Sequence, residues 1–276
     1  TNVSRDSPKF SGAVSDRFSL GDGINNFGVA AAFSWQKRKF GSDNVETGGN
    51  WDFEDGARLE EVEARDYQIT RERTGLGLNF DYQPDDFSSY YLRTLYSKFK
   101  DTETRNAQGL EFADPQGSGQ RGEAEGWRDL KSREDTQEIQ SYVLGGERIL
   151  DQWTISAQAG YSQATEHDPG GIAGARFVGD FDEVGFDGTR KPRLSVGNDF
   201  YDPARFTLDE VEWEKVDGKD QEKNIRLDLA RDYEFADASQ VKFGGKLSRR
   251  DKTSDTETWA YDGFDDISLA DYQGSN

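Results

Sequence analysis

The chain has 276 residues, only 33% of them hydrophobic, with a mean hydropathy of −0.93, and its longest apolar run, 29–33, is far short of the roughly 18 residues a membrane-spanning helix needs. Thirty-four Lys and Arg stand against 54 Asp and Glu, a net charge of −20 that repels phosphate, so no nucleic-acid partner is expected. Cysteine is absent, which removes disulfides, thiolate metal sites and Cys nucleophiles.

Taken in order, the first alternating stretch is 10–18, followed by a Gly-, Asp- and Asn-rich turn near 20–26. In 27–35, Phe27, Val29, Ala31, Phe33 and Trp35 share one face of an extended strand, while the other face is small and polar. The chain near 40–65 is rich in Gly, Asp and Glu without a sustained period and reads as a long loop. The stretch 74–82 puts Thr74, Leu76, Leu78, Phe80 and Tyr82 opposite Gly75, Gly77, Asn79 and Asp81; no period near 3.6 fits it. A turn near 83–87 leads to a strand over 90–99, and 102–133 reads as a second long loop. Strands over 137–150 and 153–162 flank a turn near 150–152. The third long loop spans 166–220. A further pair, 224–233 and 241–248, turns near 236–238, and 251–276 closes the chain as a polar segment.

About eight strands result, with short turns alternating with long loops. A β-sandwich has no physical need to sort its connections in this way. A transmembrane barrel does, with short periplasmic turns at one end and long extracellular loops at the other. The expected fold is therefore all-β, an antiparallel up-and-down transmembrane barrel. Trp35, Tyr96 and Tyr161 near the long-loop ends, with Tyr82, Tyr90, Trp153 and Tyr233 near the short-turn ends, would form two interfacial belts.

Few residues suggest covalent chemistry, and no enzyme, cofactor or bound metal is expected. The one histidine, His167, lies beside Asp168 without a recognisable nucleophile. Asp180, Asp182, Glu183 and Asp187 could offer oxygen to Ca²⁺, but Val184 breaks the EF-hand spacing. Five aromatic residues in the loops, Trp51, Trp127, Trp213, Trp259 and Tyr261, are candidate stacking surfaces for a ligand. Arg73, Asp81, Arg93, Asp228, Lys242 and Lys246 alternate with the apolar positions and are candidates for the lumen, where a charge meets water.

Several segments resemble the barrel region of TonB-dependent outer-membrane receptors, most nearly the branch abundant in Xanthomonas- and Caulobacter-type bacteria. They are Phe27-Gly28-Val29, Ser34-Trp35-Gln36-Lys37-Arg38, Ser42-Asp43-Asn44-Val45-Glu46, the run Tyr-Tyr-Leu-Arg-Thr-Leu-Tyr-Ser-Lys-Phe over 90–99, Gly145-Gly146-Glu147, Lys242-Phe243-Gly244-Gly245-Lys246 and Asp251-Lys252-Thr253-Ser254-Asp255. The resemblance implies uptake of a bulky, scarce nutrient, an oligosaccharide or a siderophore, across the outer membrane of a Gram-negative bacterium. Energy would come from the TonB complex through a plug domain inside a barrel of about 22 strands. Without an initiator Met or a leader the chain reads as a processed mature protein or an internal piece; no plug-like segment is recognisable before the first strand and about eight strands fall short of the family's barrel, so a partial set of strands from a larger receptor is expected. The alternatives are a complete small barrel with a structural or adhesive role, and a soluble β-rich carbohydrate-binding module.

Overall fold

The computed structural model describes residues 7–47, 51–54, 56–234, 239–264 and 266–272. Among these residues ten strands follow one another: β1 (Lys9–Phe18), β2 (Phe27–Glu46), β3 (Trp51–Asp52), β4 (Arg58–Asp85), β5 (Ser88–Gly117), β6 (Arg121–Leu150), β7 (Trp153–Asp187), β8 (Arg193–Ser195), β9 (Thr207–Tyr233) and β10 (Ser239–Tyr261). Eight of them form an up-and-down sheet in the order β1-β2-β4-β5-β6-β7-β9-β10, every pair antiparallel; β3 adds to β4, and β8 to β7. The all-β, antiparallel, up-and-down expectation holds. Barrel closure is not shown: among the described residues β1 and β10 are the outer edges of an open sheet.

Short turns link the strands at one end. Asp151 adopts φ +54 in the two-residue connection 151–152, as mirror-image hairpin turns require. Asp85 accepts a hydrogen bond from the Phe87 amide at 2.9 Å to close the turn between β4 and β5. Asn26 clamps both the amide and the carbonyl of Leu20, at 2.7 and 3.0 Å. The turn expected at 236–238 lies outside the described residues.

The opposite end corrects the sequence reading. The segments near 40–65, 102–133 and 166–220 are largely strand, and the start of 251–276 continues β10 to Tyr261: β2 continues to Glu46, β4 begins at Arg58, and β5 and β6 are joined by a three-residue turn, 118–120, with Gly119 at φ +84. Cross-strand charge pairs take the place of hydrophobic alternation here. Lys98 faces Glu138 at 2.9 Å and Lys100 faces Glu134 at 2.7 Å; Arg71 pairs with Asp101 at 3.0 Å, and Arg105 with Asp129. Pro169 and Gly170 are accommodated where β7 bulges against β9, the setting in which a sheet tolerates proline.

A compact core sits at this far end. Leu59, Val62, Leu110, Phe112, Phe181, Val184 and Phe186 are buried beneath β8 and two 3-10 turns, Asn198–Tyr201 and Pro203–Arg205. Phe200 and Phe206 from this covering segment meet Phe181 with ring centroids 5.2 and 5.5 Å away. Each such side chain contributes roughly 1.5–3 kcal/mol on burial. The segment is thereby fastened to the sheet.

Candidate functional site

Nearer the short turns the sheet is a single layer, and its register arranges the side chains in rows. One row runs Val29, Phe80, Leu92, Leu144, Ala159, Ile225 and Leu247 across seven strands. The next row towards the turns runs Phe27, Tyr82, Tyr90, Gly146, Ala157, Leu227 and Gly245. Alternation sends both to one face. Large members of this face stay exposed: Leu247 is 80% exposed, Ile225 63% and Leu144 60%. The one charge in these rows is Asp16, beside Val29 on the short edge strand β1.

Aromatic rings border the apolar rows. Towards the turns, Phe27 stacks on Phe80 at 6.0 Å, Tyr82 on Tyr90 at 6.4 Å, and Trp153 meets Phe243 edge-on at 6.4 Å. On the other side, Phe10 stacks on Trp35 at 5.8 Å and Tyr142 on Tyr161 at 6.4 Å. The Trp35 indole donates to Glu72 Oε1 at 2.9 Å, where the charged part of the sheet begins. Phe27 and Trp35 are eight residues apart on β2, about 27 Å at 3.4 Å per residue.

The opposite face of the same rows is small and polar: Ala30, Asn79, Arg93, Val143, Gly160, Asn224 and Ser248 form one line. All six charges expected in a lumen lie on this face. Asp81 pairs with Arg93, whose guanidinium also donates to the Phe80 carbonyl at 2.7 Å and lies over the Tyr91 ring. Asp228 is held between Arg226, at 2.8 Å, and Lys242, at 3.9 Å. Lys246 reaches Glu222 at 3.6 Å, and Arg73 lies over the Phe99 ring at 4.7 Å.

The five candidate ligand aromatics are distributed differently from the expectation, because the loops that were to carry them are strands. Trp127 lies in β6, 4% exposed, over Gly109 and under the Arg176 guanidinium at 4.8 Å. It is a packing residue and offers no stacking surface. Trp51 is packed at the edge of the core, stacked on Phe53 and edge-on to Phe186, its indole donating to Thr47 at 3.2 Å. Trp213 and Trp259 are register partners in β9 and β10, with centroids 4.7 Å apart. Trp213 also covers Gly170, whose φ of +115 and lack of a side chain allow that approach. Tyr261 stands at the end of β10 and is exposed. Among the five, the rings that meet are those of Trp213 and Trp259.

His167 pairs across the sheet with Asp217 at 2.6 Å, while neighbouring Asp168 accepts from the Gly170 amide. That hydrogen bond, with a second from Lys215, holds the Asp217 carboxyl below its usual range. Asp180, Asp182, Glu183 and Asp187 are spread along β7. Sequence reasoning missed Arg128, whose basic character carried no periodic signal. Its Nη1 donates to Gln108 at 2.8 Å and its Nη2 to the Phe200 carbonyl at 2.8 Å, and its plane lies over Phe200 and Phe206. Burial lowers its pKa. Comparison with protein-family models, curated proteins and solved structures finds no match.

Proposed function

We propose that this chain forms part of the wall of a β-barrel in the outer membrane of a Gram-negative bacterium, serving a receptor that takes up a bulky nutrient. The observation that carries the membrane reading is the seven-strand row from Val29 to Leu247, apolar on one face, polar on the other, and left without a second protein layer. In water a continuous patch of this kind is a liability, and in a bilayer it is the contact surface. The aromatic borders, about 27 Å apart along the strand, project to about 20 Å at a strand tilt of roughly 40°, close to the apolar band of about 25 Å that such barrels present. The paired charges on the other face suit a water-filled or plugged lumen, and the far-end core suits the extracellular side. Energy coupling through TonB, and an oligosaccharide or siderophore as cargo, rest on the sequence resemblance.

The membrane reading is tested by placing single cysteines at Leu78, Leu144 and Ile225, and at their neighbours Asn79, Val143 and Asn224, labelling each with an environment-sensitive fluorophore and reconstituting the protein in vesicles. The first set should be quenched by nitroxide carried on the lipid chains and the second by a water-soluble quencher. Equal access of water to both sets would sink it. The uptake reading is tested separately, by growth of a gene-deletion strain on a panel of siderophores and oligosaccharides; a deletion strain that grows like its parent on every one of them would refute it.

A further inference from the structure

The far end holds more than packed phenylalanines. A cavity of about 600 Å³ is lined by Arg128, Arg190 and Lys191 together with Asn44, Asn106 and Gln108. A second, of about 490 Å³, is lined by Leu130, Ile172, Phe177, Leu208, Val211 and Leu269. They share Asn106, Ala107 and Arg128. Both volumes fall in the range of roughly 300–1,000 Å³ typical of small-molecule sites.

The charge distribution around the first cavity is selective. Arg65 also lines it but is committed to Glu46 and Glu63. Asp43 and Asp66 line it too, and both have partners of their own. Among the described residues, no carboxylate pairs with Arg128, Arg190 or Lys191. Arg128 is half-buried and fixed in place by Gln108, the Phe200 carbonyl and two phenyl rings; those two hydrogen bonds use two of its five N–H donors. A desolvated guanidinium without a counter-charge is costly unless an anion completes it.

We propose that the two cavities form one binding site for a small amphiphile with an anionic head, a medium-chain carboxylate or phosphate monoester. The head is held by Arg128, Arg190 and Lys191, and the hydrocarbon lies among Ile172, Phe177, Leu208 and Leu269. The amides of Asn106 and Gln108, on the same face as Arg128, supply further polar contacts near the head. This site is distinct from the apolar band and from the charged face of the rows, and it does not depend on the membrane reading.

Photoaffinity labelling of the whole chain tests the assignment. The probe is decanoate carrying a terminal diazirine, the control is its uncharged primary amide, and unlabelled decanoate and decyl phosphate are the competitors. The acid probe should label peptides spanning 172–177 and 269–272, and either competitor should reduce that labelling. Arg128→Gln should lower it about tenfold, the scale of a lost charge-assisted contact. Because Arg128 also holds Phe200, the exposed pair Arg190→Gln and Lys191→Gln is the second variant; it should reduce labelling several-fold with strand content unchanged by circular dichroism. Competition by decanoate alone would fix a carboxylate head, and by decyl phosphate alone a phosphate head. Equal labelling by acid and amide, labelling unaffected by the Arg190 and Lys191 substitutions, or labelling confined to peptides around Leu144 and Ile225 would each overturn the proposal.

Discussion

Leu78 and Asn79 are consecutive on β4 and leave opposite faces of the sheet: Leu78 lies in the row with Ala31 and Thr94, and Asn79 in the row with Ala30 and Arg93. Leu78→Arg should therefore destabilise the protein folded in lipid vesicles by about 2–4 kcal/mol, while Asn79→Arg should be close to neutral. Urea titration of vesicle-inserted protein gives both values. Similar costs at the two positions would mean that the faces do not meet different solvents.

Gly109 lies directly beneath Trp127, and a Cβ built there would be 2.4 Å from the indole Cζ2. Gly109→Val should cost about 1–3 kcal/mol by overpacking, and Trp127→Ala about 3–5 kcal/mol by leaving a cavity. Trp127→Phe should cost much less than the alanine change, because the buried indole N–H has no partner to lose. Chemical denaturation midpoints of the three variants provide the ranking.

Glu61 is raised above the ordinary glutamate range, first by burial and then by Glu63 and Glu111, the latter directly opposite it on β5. Asp135 is raised likewise by burial and by Glu166. The folded state holds these protons more tightly than the unfolded chain, so stability falls as pH rises from the ordinary carboxylate range through the raised values. Glu61→Gln combined with Asp135→Asn should raise the thermal midpoint at pH 7, with the gain shrinking towards pH 4. A gain that is constant with pH would show that titration is not its source.

Asp81 and Arg93 form an ion pair in which both partners are well exposed. A double-mutant cycle should give a coupling below about 1 kcal/mol. Arg93→Ala alone should cost more than Asp81→Ala, since the guanidinium also serves the Phe80 carbonyl and the Tyr91 ring. Equal single-mutant costs would mean those two contacts contribute nothing.

The alternation in 27–35, 74–82 and 153–162 was legible because each strand segment there is greasy on one side only, which is the signal a two-residue period gives. Register was not legible, since it depends on which residue of one strand meets which of the next. The far halves of the strands read as loops because their apolar residues, such as Val62, Leu110 and Phe181, are scattered among charged ones and keep no sustained two-residue period. Arg71 with Asp101, and Lys100 with Glu134, satisfy each other across the ladder and leave no hydrophobic period to detect. Trp127 looked like an isolated loop aromatic for the same reason; its partner Gly109 is 18 residues away in sequence and becomes a neighbour only through the hairpin at 118–120. Arg128 is fixed by the Phe200 carbonyl, 72 positions away in the chain, a distance no local pattern spans.

The ladder between β5 and β6 runs from Ser88 opposite Arg148 to Phe112 opposite Ala124 without a slip in register. Below Phe112 and Ala124 a pull coming from the tip at 118–120 is thus carried down a continuous ribbon of backbone bonds. The β6–β7 ladder is interrupted at 130–136, so bending must concentrate on that side, and the tip can lean in one direction more readily than the other.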